Sequence, residues 1–400
     1  MNVPFHIAKR YLFSKKSHNI INIISGIAVV GITFSTAALI VILSAFNGLE
    51  GLVSDLYNSF DSDIEITLKE GKTFDKKLFP LEEIKALEEV EYTSNIVEEV
   101  VMLKHRDNWV TCNMKGVEPS FMEMAQLDTF MVDGIENIFE HQRPEAIIGL
   151  GIQSQLGVSS DDVFDNLMTV SGLLRDKKIK RNSNPFKQKE IHNIGVFSIG
   201  PDFDFKYIIA PIDFASDLLN YEDEITAVEL NLKAGVSHDE FKTKLQTIVG
   251  EDFDIKTLYE QNELVYNVHK LEKWFIYIIL TFVLLLASFN ILASLAMLII
   301  DKKKDIYILK SMGANDTDVR KIFFFQGTMI NLSGAIIGLG LGLFVAWLQI
   351  KFHLVTLQGA IIDYYPVEIK AGDIAMVGAT VLLIGISSSY FPVRYFLRKY

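Results

Sequence analysis

Four hundred residues, half of them hydrophobic, carry a formal net charge of −12 and a single cysteine, Cys112. An acidic chain argues against a nucleic-acid partner, and one cysteine excludes an internal disulfide, so any domain outside a membrane must be held by an ordinary apolar core. The apolar residues are gathered into blocks rather than spread through amphipathic segments, which excludes a wholly soluble enzyme of ordinary composition.

In chain order, residues 1–19 place Phe5, Ile7, Tyr11, Leu12 and Phe13 among Lys9, Arg10, Lys15 and Lys16 with no acid, a cytoplasmic amphipathic segment suited to the membrane surface. Residues 20–46 are free of Asp, Glu, Lys, Arg and His, as are 274–300, 322–350 and 374–393. Each block exceeds or equals the ~20 residues a helix needs to cross a bilayer. The first is too long for a signal peptide and shows no small-x-small cleavage site before Asn47, so it reads as a retained helix. Basic residues cluster at 1–19, 301–321 and 394–400. By the positive-inside rule these segments are cytoplasmic, 47–273 is a large external domain and 351–373 a short external loop. The external segment holds 43 Asp/Glu against 23 Lys/Arg, a balance of −20, while the rest of the chain is +8.

Within that segment the helical pattern continues through Leu56, and alternation at Asp63–Leu68 predicts a strand. A helix is expected at Leu81–Leu87, then a hairpin of Val97–His105 and Trp109–Val117, then a strand-to-helix passage over Ile147–Leu156. Strands are expected at Ile194–Ser198, Tyr207–Pro211 and Thr226–Leu232, and helices at Pro211–Leu219 and Ser237–Val249. The fold class is a membrane protein of four transmembrane α-helices with a large α+β domain between helices 1 and 2. That domain divides into two lobes near Gly134–Pro144 on this reading. Residues 173–190 depart from their acidic surroundings with seven Lys/Arg and two acids. They read either as a solvated hairpin tip or as a docking arm carrying Lys177, Lys178, Lys180, Arg181, Pro185 and Phe186.

Tyr259–Lys273 is expected to run as one helix into the second span. The charged stretch that follows, DKKKDIYILKSMGANDTDVRKIFFFQ, reads as a contact handle. Lys304 to Met312 forms a short helix with Ile306 and Leu309 on one side and Lys310 among its basic residues. Gly313 supplies a left-handed stop, Ala314 follows, and Asn315 caps the next helix. The bland alternative is a polar turn. In the third span Gly334, Gly338 and Gly342 share one face, as close helix packing requires.

Catalytic signatures are missing. There is no GxxxxGK[ST], HExxH or GxSxG, no paired cysteine and no ionisable residue inside a span, so no cofactor, metal site or coupling ion is expected. The cytoplasmic parts total about fifty residues, too few for an ATPase domain. The protein must be worked by a partner.

KLEKWFIYIILTFVLLLASFNILASLAMLIIDKKKDIYILKSMGA (Lys270–Ala314) and FFQGTMINLSGAIIGLGLG, up to Gly342, carry a resemblance, together with KGVEP (Lys115–Pro119), AIIGLGIQSQLGV (Ala146–Val158) and YYPVEI (Tyr364–Ile369). The chain resembles the lipoprotein-releasing (LolC/LolE-type) ABC transporter permeases of the FtsX/MacB superfamily over its whole length. The resemblance implies a bacterial inner-membrane permease subunit without enzymatic activity of its own. It would work by mechanotransmission with a cytoplasmic ABC ATPase dimer and a second permease subunit, the same or a related chain. Lys304–Asn315 would be the coupling helix. Lipoproteins would be taken from the outer leaflet of the membrane lipid and released to a periplasmic lipoprotein carrier, and residues 173–190 fall where one Lol permease has a proline-containing carrier hook. The rival readings are an FtsX-like regulator of a cell-wall hydrolase, a MacB-like efflux permease and, more distantly, a membrane-bound enzyme.

Overall fold

The computed structural model describes the chain except for residues 1–2, 14–18, 126, 142, 161–164, 175–184, 358–363 and 398–400. The backbone forms two compact units, a bundle unit of Met1–Leu52 with Asn267–Tyr400 and a sheet unit of Val53–Tyr266.

The bundle unit is built from α1 (Val3–Phe13), α2 (Asn19–Asn58), α3 (Glu263–Asp301), α4 (Lys303–Ser311), α5 (Asp316–Phe352) and α6 (Ala371–Phe396). Among the described residues, four helices are long and apolar enough to cross a membrane: α2, α3, α5 and α6. At 1.5 Å per residue, 40-residue α2 reaches about 60 Å, twice the ~30 Å hydrocarbon core, so it continues well past its charge-free block. The expected helix from Tyr259 is two helices. A capping box between Thr257 and Glu260 starts a short one at Leu258–Gln261, and Asn262, at φ −113° and ψ 26°, breaks the register before α3. The bundle core joins Ile32, Leu39 and Ile40 of α2, Ile291 and Leu295 of α3, Ile330 of α5, and Val377 and Val381 of α6. Hydroxyl pairs stitch the same helices, with Ser25 and Ser294 at 2.7 Å and Ser388 donating to Ser288 at 3.0 Å. In a core without water such contacts and small residues do what hydrophobic burial does elsewhere.

The sheet unit contains β1 (Ile64–Leu68), β2 (Phe74–Asp75), β3 (Val90–His105), β4 (Asn108–Val117), β5 (Met131–Gly134), β6 (Glu145–Gly149), β7 (Leu167–Leu173), β8 (Phe186–Phe197), β9 (Tyr207–Pro211), β10 (Glu224–Ile225), β11 (Ala227–Leu232) and β12 (Phe253–Thr257). Ten of them make one mixed sheet in the order β12-β1-β11-β3-β4-β9-β6-β8-β5, with β7 paired to β3 and β8. Side chains alternate between two apolar clusters. Val97, Ile148, Ile208 and Val228 enter one, and Ile96, Ile147, Ile209 and Ala227 enter the other. That alternation is the period of a strand buried on both faces. The expected division into two lobes at Gly134–Pro144 is not what forms. β5 and β6, on either side of that stretch, both pair with β8, so the ladder runs through it.

Candidate functional site

The handle is a helical hairpin whose corner is closed by backbone hydrogen bonds. Gly313 has φ +95°, Ala314 N–H donates to the Leu309 carbonyl and Gly313 N–H to the Lys310 carbonyl, each at 3.0 Å. This is the Schellman stop, and the positive φ is what demands glycine there. Asn315 occupies the N-cap position of α5. Its carbonyl accepts from Asp318 N–H, but its side chain makes no capping bond. Lys310 reaches across the corner to Asp316 at 2.8 Å.

The two faces of α4 differ from the sequence-based expectation. Ile306 is only 5% exposed and packs into the bundle core, with Ala314 against the same cluster, and Leu309 is half-buried. The apolar residues turned outward are instead Tyr307 (75% exposed), Ile308 (55%) and Met312 (79%). With Lys304 and Ser311, also exposed, they occupy positions i, i+3, i+4, i+7 and i+8 of one helical stripe. Ile306 thus anchors the handle, and Lys304, Tyr307, Ile308 and Met312 form its free face. The inner side is braced from α1. Tyr11 donates to Asp305 Oδ2 at 3.2 Å, and burial followed by the Asp305 charge pushes the Tyr11 hydroxyl up to about 12.

The three glycines of α5 lie against α2. A Cβ on Gly334 would stand 2.9 Å from Ile32 Cβ, one on Gly338 2.6 Å from the Thr33 carbonyl oxygen, and one on Gly342 2.8 Å from Ile40 Cβ. At its far end α2 meets α3 and α6 through a polar node. Fully buried Asn47 donates to Asp373 Oδ2 at 2.7 Å and the Glu368 carbonyl at 3.2 Å. Its Oδ1 accepts from Lys273 Nζ at 2.7 Å, and Lys273 lies 3.3 Å from Asp373. No motif search finds this node, because its three side chains come from three distant segments.

The sheet unit holds a second polar node, in an open pocket of about 410 Å³. Lys115, of the KGVEP motif, is 2% exposed, with Nζ 2.9 Å from Glu229 Oε1 and 4.7 Å from the ring centres of Phe60 and Phe121. Sheet register assembles the rest. Glu98 is opposite Lys115, and Glu65 is opposite Glu229, an unfavourable like-charge pair. Burial raises the carboxyls of Asp61, Glu65 and Glu98, and takes Glu229 up to about 7. Burial also pulls Lys115 down, but the surrounding carboxylates outweigh it and keep the ammonium charged.

The described ends of the basic segment belong to the paired strands β7 and β8. Leu173 pairs with Phe186, and Leu174 N–H donates to the Pro185 carbonyl at 2.9 Å. Pro185 is half-buried and Phe186 is 45% exposed, while Lys177, Lys178, Lys180 and Arg181 lie outside the described residues. Two further lysines of the segment, Lys187 and Lys189, belong to β8 and both pair with Asp217, whose carboxyl their hydrogen bonds lower to about 2. The segment's basic excess is therefore partly met within its own domain. Among the described residues no His, Cys, Asp and Glu cluster is arranged to hold a metal.

The FtsX-like permease C-terminal family matches residues 277–400, and the MacB-like periplasmic core domain family matches residues 25–248. The fold and these matches define a multi-pass membrane permease with a MacB-like periplasmic domain following its first long helix. Among curated proteins, the chain is 26% identical to the lipoprotein-releasing system transmembrane protein LolE of Haemophilus influenzae, over 98% of this chain and 96% of that protein. It is 25% identical to LolC of Buchnera aphidicola subsp. Schizaphis graminum, again over 98% and 96%. The periplasmic region of MacB from Actinobacillus actinomycetemcomitans overlays 54% of this chain and 98% of that chain at 11% identity and a TM-score of 0.37, too low to add weight. The chain belongs to the FtsX family of ABC transporter permeases and is of the LolC/LolE type.

Proposed function

We propose that this chain is the mechanotransmitting subunit of a lipoprotein-releasing ABC transporter, placed in the bacterial inner membrane with both termini and the handle in the cytoplasm. The observation that carries the proposal is the outward stripe of Lys304, Tyr307, Ile308, Ser311 and Met312, held on a helix that is closed by the Gly313 stop and anchored through Ile306. An exposed apolar stripe on a braced cytoplasmic helix fits a groove on an ABC ATPase dimer, which supplies the ATP hydrolysis. α2 and α3 carry the stroke toward the periplasmic domain. A second permease, the same or a related chain, completes the cavity from which lipoproteins leave the outer leaflet for a periplasmic carrier. Pro185 and Phe186 of the basic segment are offered as part of the carrier contact.

Depletion of the chain is expected to leave triacylated lipoproteins in the inner-membrane fraction. Ile308→Asp should fail to restore release and lose the co-purifying ATPase, while Met312→Leu should retain both. Normal lipoprotein sorting after depletion, with a defect in septation or drug export instead, would replace this reading with the hydrolase-regulator or efflux reading.

A further inference from the structure

The start of α5 and the end of α6 enclose a pocket of about 460 Å³ that the coupling role does not use, lined by Arg320, Lys321 and Phe324 on one side and Tyr390, Val393 and Arg394 on the other. Three cations meet there over an aromatic and aliphatic floor. Arg320 Nε is buried and has no hydrogen-bond partner among the described residues, an expensive state for a charged donor. Arg394 is braced by its own helix, Nη1 donating to the Tyr390 hydroxyl at 3.2 Å. Lys321 has its nearest carboxylate, Asp318, at 4.0 Å. The acids of this first turn, Asp316 and Asp318, do not line the pocket.

The surface leading away from the pocket is as informative as the pocket itself. On α6 the exposed residues Leu383, Ile386, Tyr390 and Arg394 follow one another at helical spacing. An apolar strip toward the middle of a membrane helix therefore ends in an aromatic ring and then in cations. That order, from hydrocarbon through an interfacial aromatic to positive charge, matches a phospholipid read from acyl chain to headgroup. We propose that this pocket binds the phosphate of an anionic phospholipid such as phosphatidylglycerol, with an acyl chain along Leu383, Ile386 and Tyr390 and a phosphate oxygen accepting from Arg320 Nε. The leaflet that supplies the lipid depends on the topology proposed above; the site does not.

The test uses the full chain in detergent, titrated with dioleoylphosphatidylglycerol or dioleoylphosphatidylethanolamine and read by native mass spectrometry. The wild type should bind the anionic lipid preferentially. Arg320→Gln and Arg394→Gln should each weaken it by roughly fivefold, from about 1 kcal/mol per cation at a membrane surface, and together should erase the preference. Lys351→Gln, which removes a cation from the opposite end of α5, should leave it intact. If Arg320→Gln does not yield folded protein, Lys321→Gln combined with Arg394→Gln gives the same reading. Equal binding of both lipids by the wild type would overturn the proposal. So would displacement of phosphatidylglycerol by an equimolar amount of glycerol phosphate, which would make the pocket a site for soluble phosphate. Because no ATPase, carrier or lipoprotein is present, a negative result would leave the transport reading untouched, and failure of that reading would not alter lipid binding.

Discussion

Two lysines meet carboxylates at polar nodes, one in each unit, Lys273 half-buried and Lys115 fully buried, and their surroundings are built differently. In the bundle, Lys273 and Asp373 close around Asn47, whose amide oxygen and nitrogen are both used, so three long helices are tied at one point with matched donors and acceptors. In the sheet unit Lys115 faces Glu229, Glu98, Glu65 and Asp61, and Glu229 Oε2 is buried without a hydrogen-bond partner among the described residues. The first node is a matched joint; the second carries more acid than its single buried ammonium can satisfy. A joint that transmits force needs fixed geometry, whereas an over-acidic node stores sensitivity to protons and to loss of its one cation.

The sharpest way to break this comparison is to remove one member of each node. Lys115→Ala leaves buried Glu229 without its ion-pair partner and should destabilise the sheet unit by about 3–5 kcal/mol. Asn47→Ala leaves the Lys273–Asp373 pair in place and forfeits hydrogen bonds only, so about 1–3 kcal/mol is expected. Thermal unfolding of the purified chain measures both when it is followed in single-tryptophan variants, Trp109 reporting the sheet unit and Trp274 or Trp347 the bundle unit. Equal losses would mean that the two nodes are energetically alike and the contrast is only geometric.

Much of the sheet unit could be read along the chain because its strands carry their signal locally. Tyr207–Pro211 is found residue for residue, and the β3–β4 hairpin turns at Arg106, whose φ of +53° fits the expected tight turn. β12 and β7 were not legible. Phe253–Thr257 alternates apolar and charged residues over too short a run, and its strand character comes from pairing with β1, almost two hundred residues earlier. The same reason hides both polar nodes, since Glu229 and Glu65 become neighbours only through sheet register. On the handle, periodicity revealed an amphipathic helix but not which apolar stripe was taken by the protein itself. Ile306 and Leu309 made the more compact apolar pair in sequence. Packing against α5 claims Ile306 and leaves Tyr307, Ile308 and Met312 outside. Gly334, Gly338 and Gly342 were legible as a stripe because a glycine repeat states its own geometry, though only the fold identifies α2 as the helix it faces.

Titration sharpens the contrast with a smaller effect. Glu229, at about 7 in the folded chain, sits well above an ordinary carboxyl, so between the ordinary range and pH 7 the folded state holds a proton that the unfolded state has released. The stabilisation is complete below the unfolded value and is lost as pH rises through about 7. Asp61, Glu65 and Glu98 shift in the same direction. Asp217, lowered to about 2 by its lysines, acts below this window. The sheet unit should therefore melt several degrees higher at acidic than at alkaline pH across this window. Glu229→Gln should flatten the trend, and an unchanged slope in that variant would assign the proton elsewhere.

The smallest change in stability is expected at the handle, where neither kind of node is present and the corner is closed by backbone hydrogen bonds and one Lys310–Asp316 ion pair. Nothing lies within 4 Å of a Cβ placed on Gly313, so a side chain there meets no steric obstacle, and the penalty comes only from φ +95°. For a β-branched residue that penalty is ~1 kcal/mol or somewhat more, confined to a surface turn. Gly313→Val should thus leave the melting temperature within a few degrees of wild type, because bundle packing and both polar nodes are untouched. Yet it should reset the angle between α4 and α5, and with it the aim of Tyr307, Ile308 and Met312. If those residues seat in an ATPase groove, co-purification of the ATPase should fall far more than stability does, and Gly313→Asn, which tolerates positive φ better, should restore much of it. A Gly313→Val protein that keeps its ATPase and its transport activity would reduce the handle to a connecting turn.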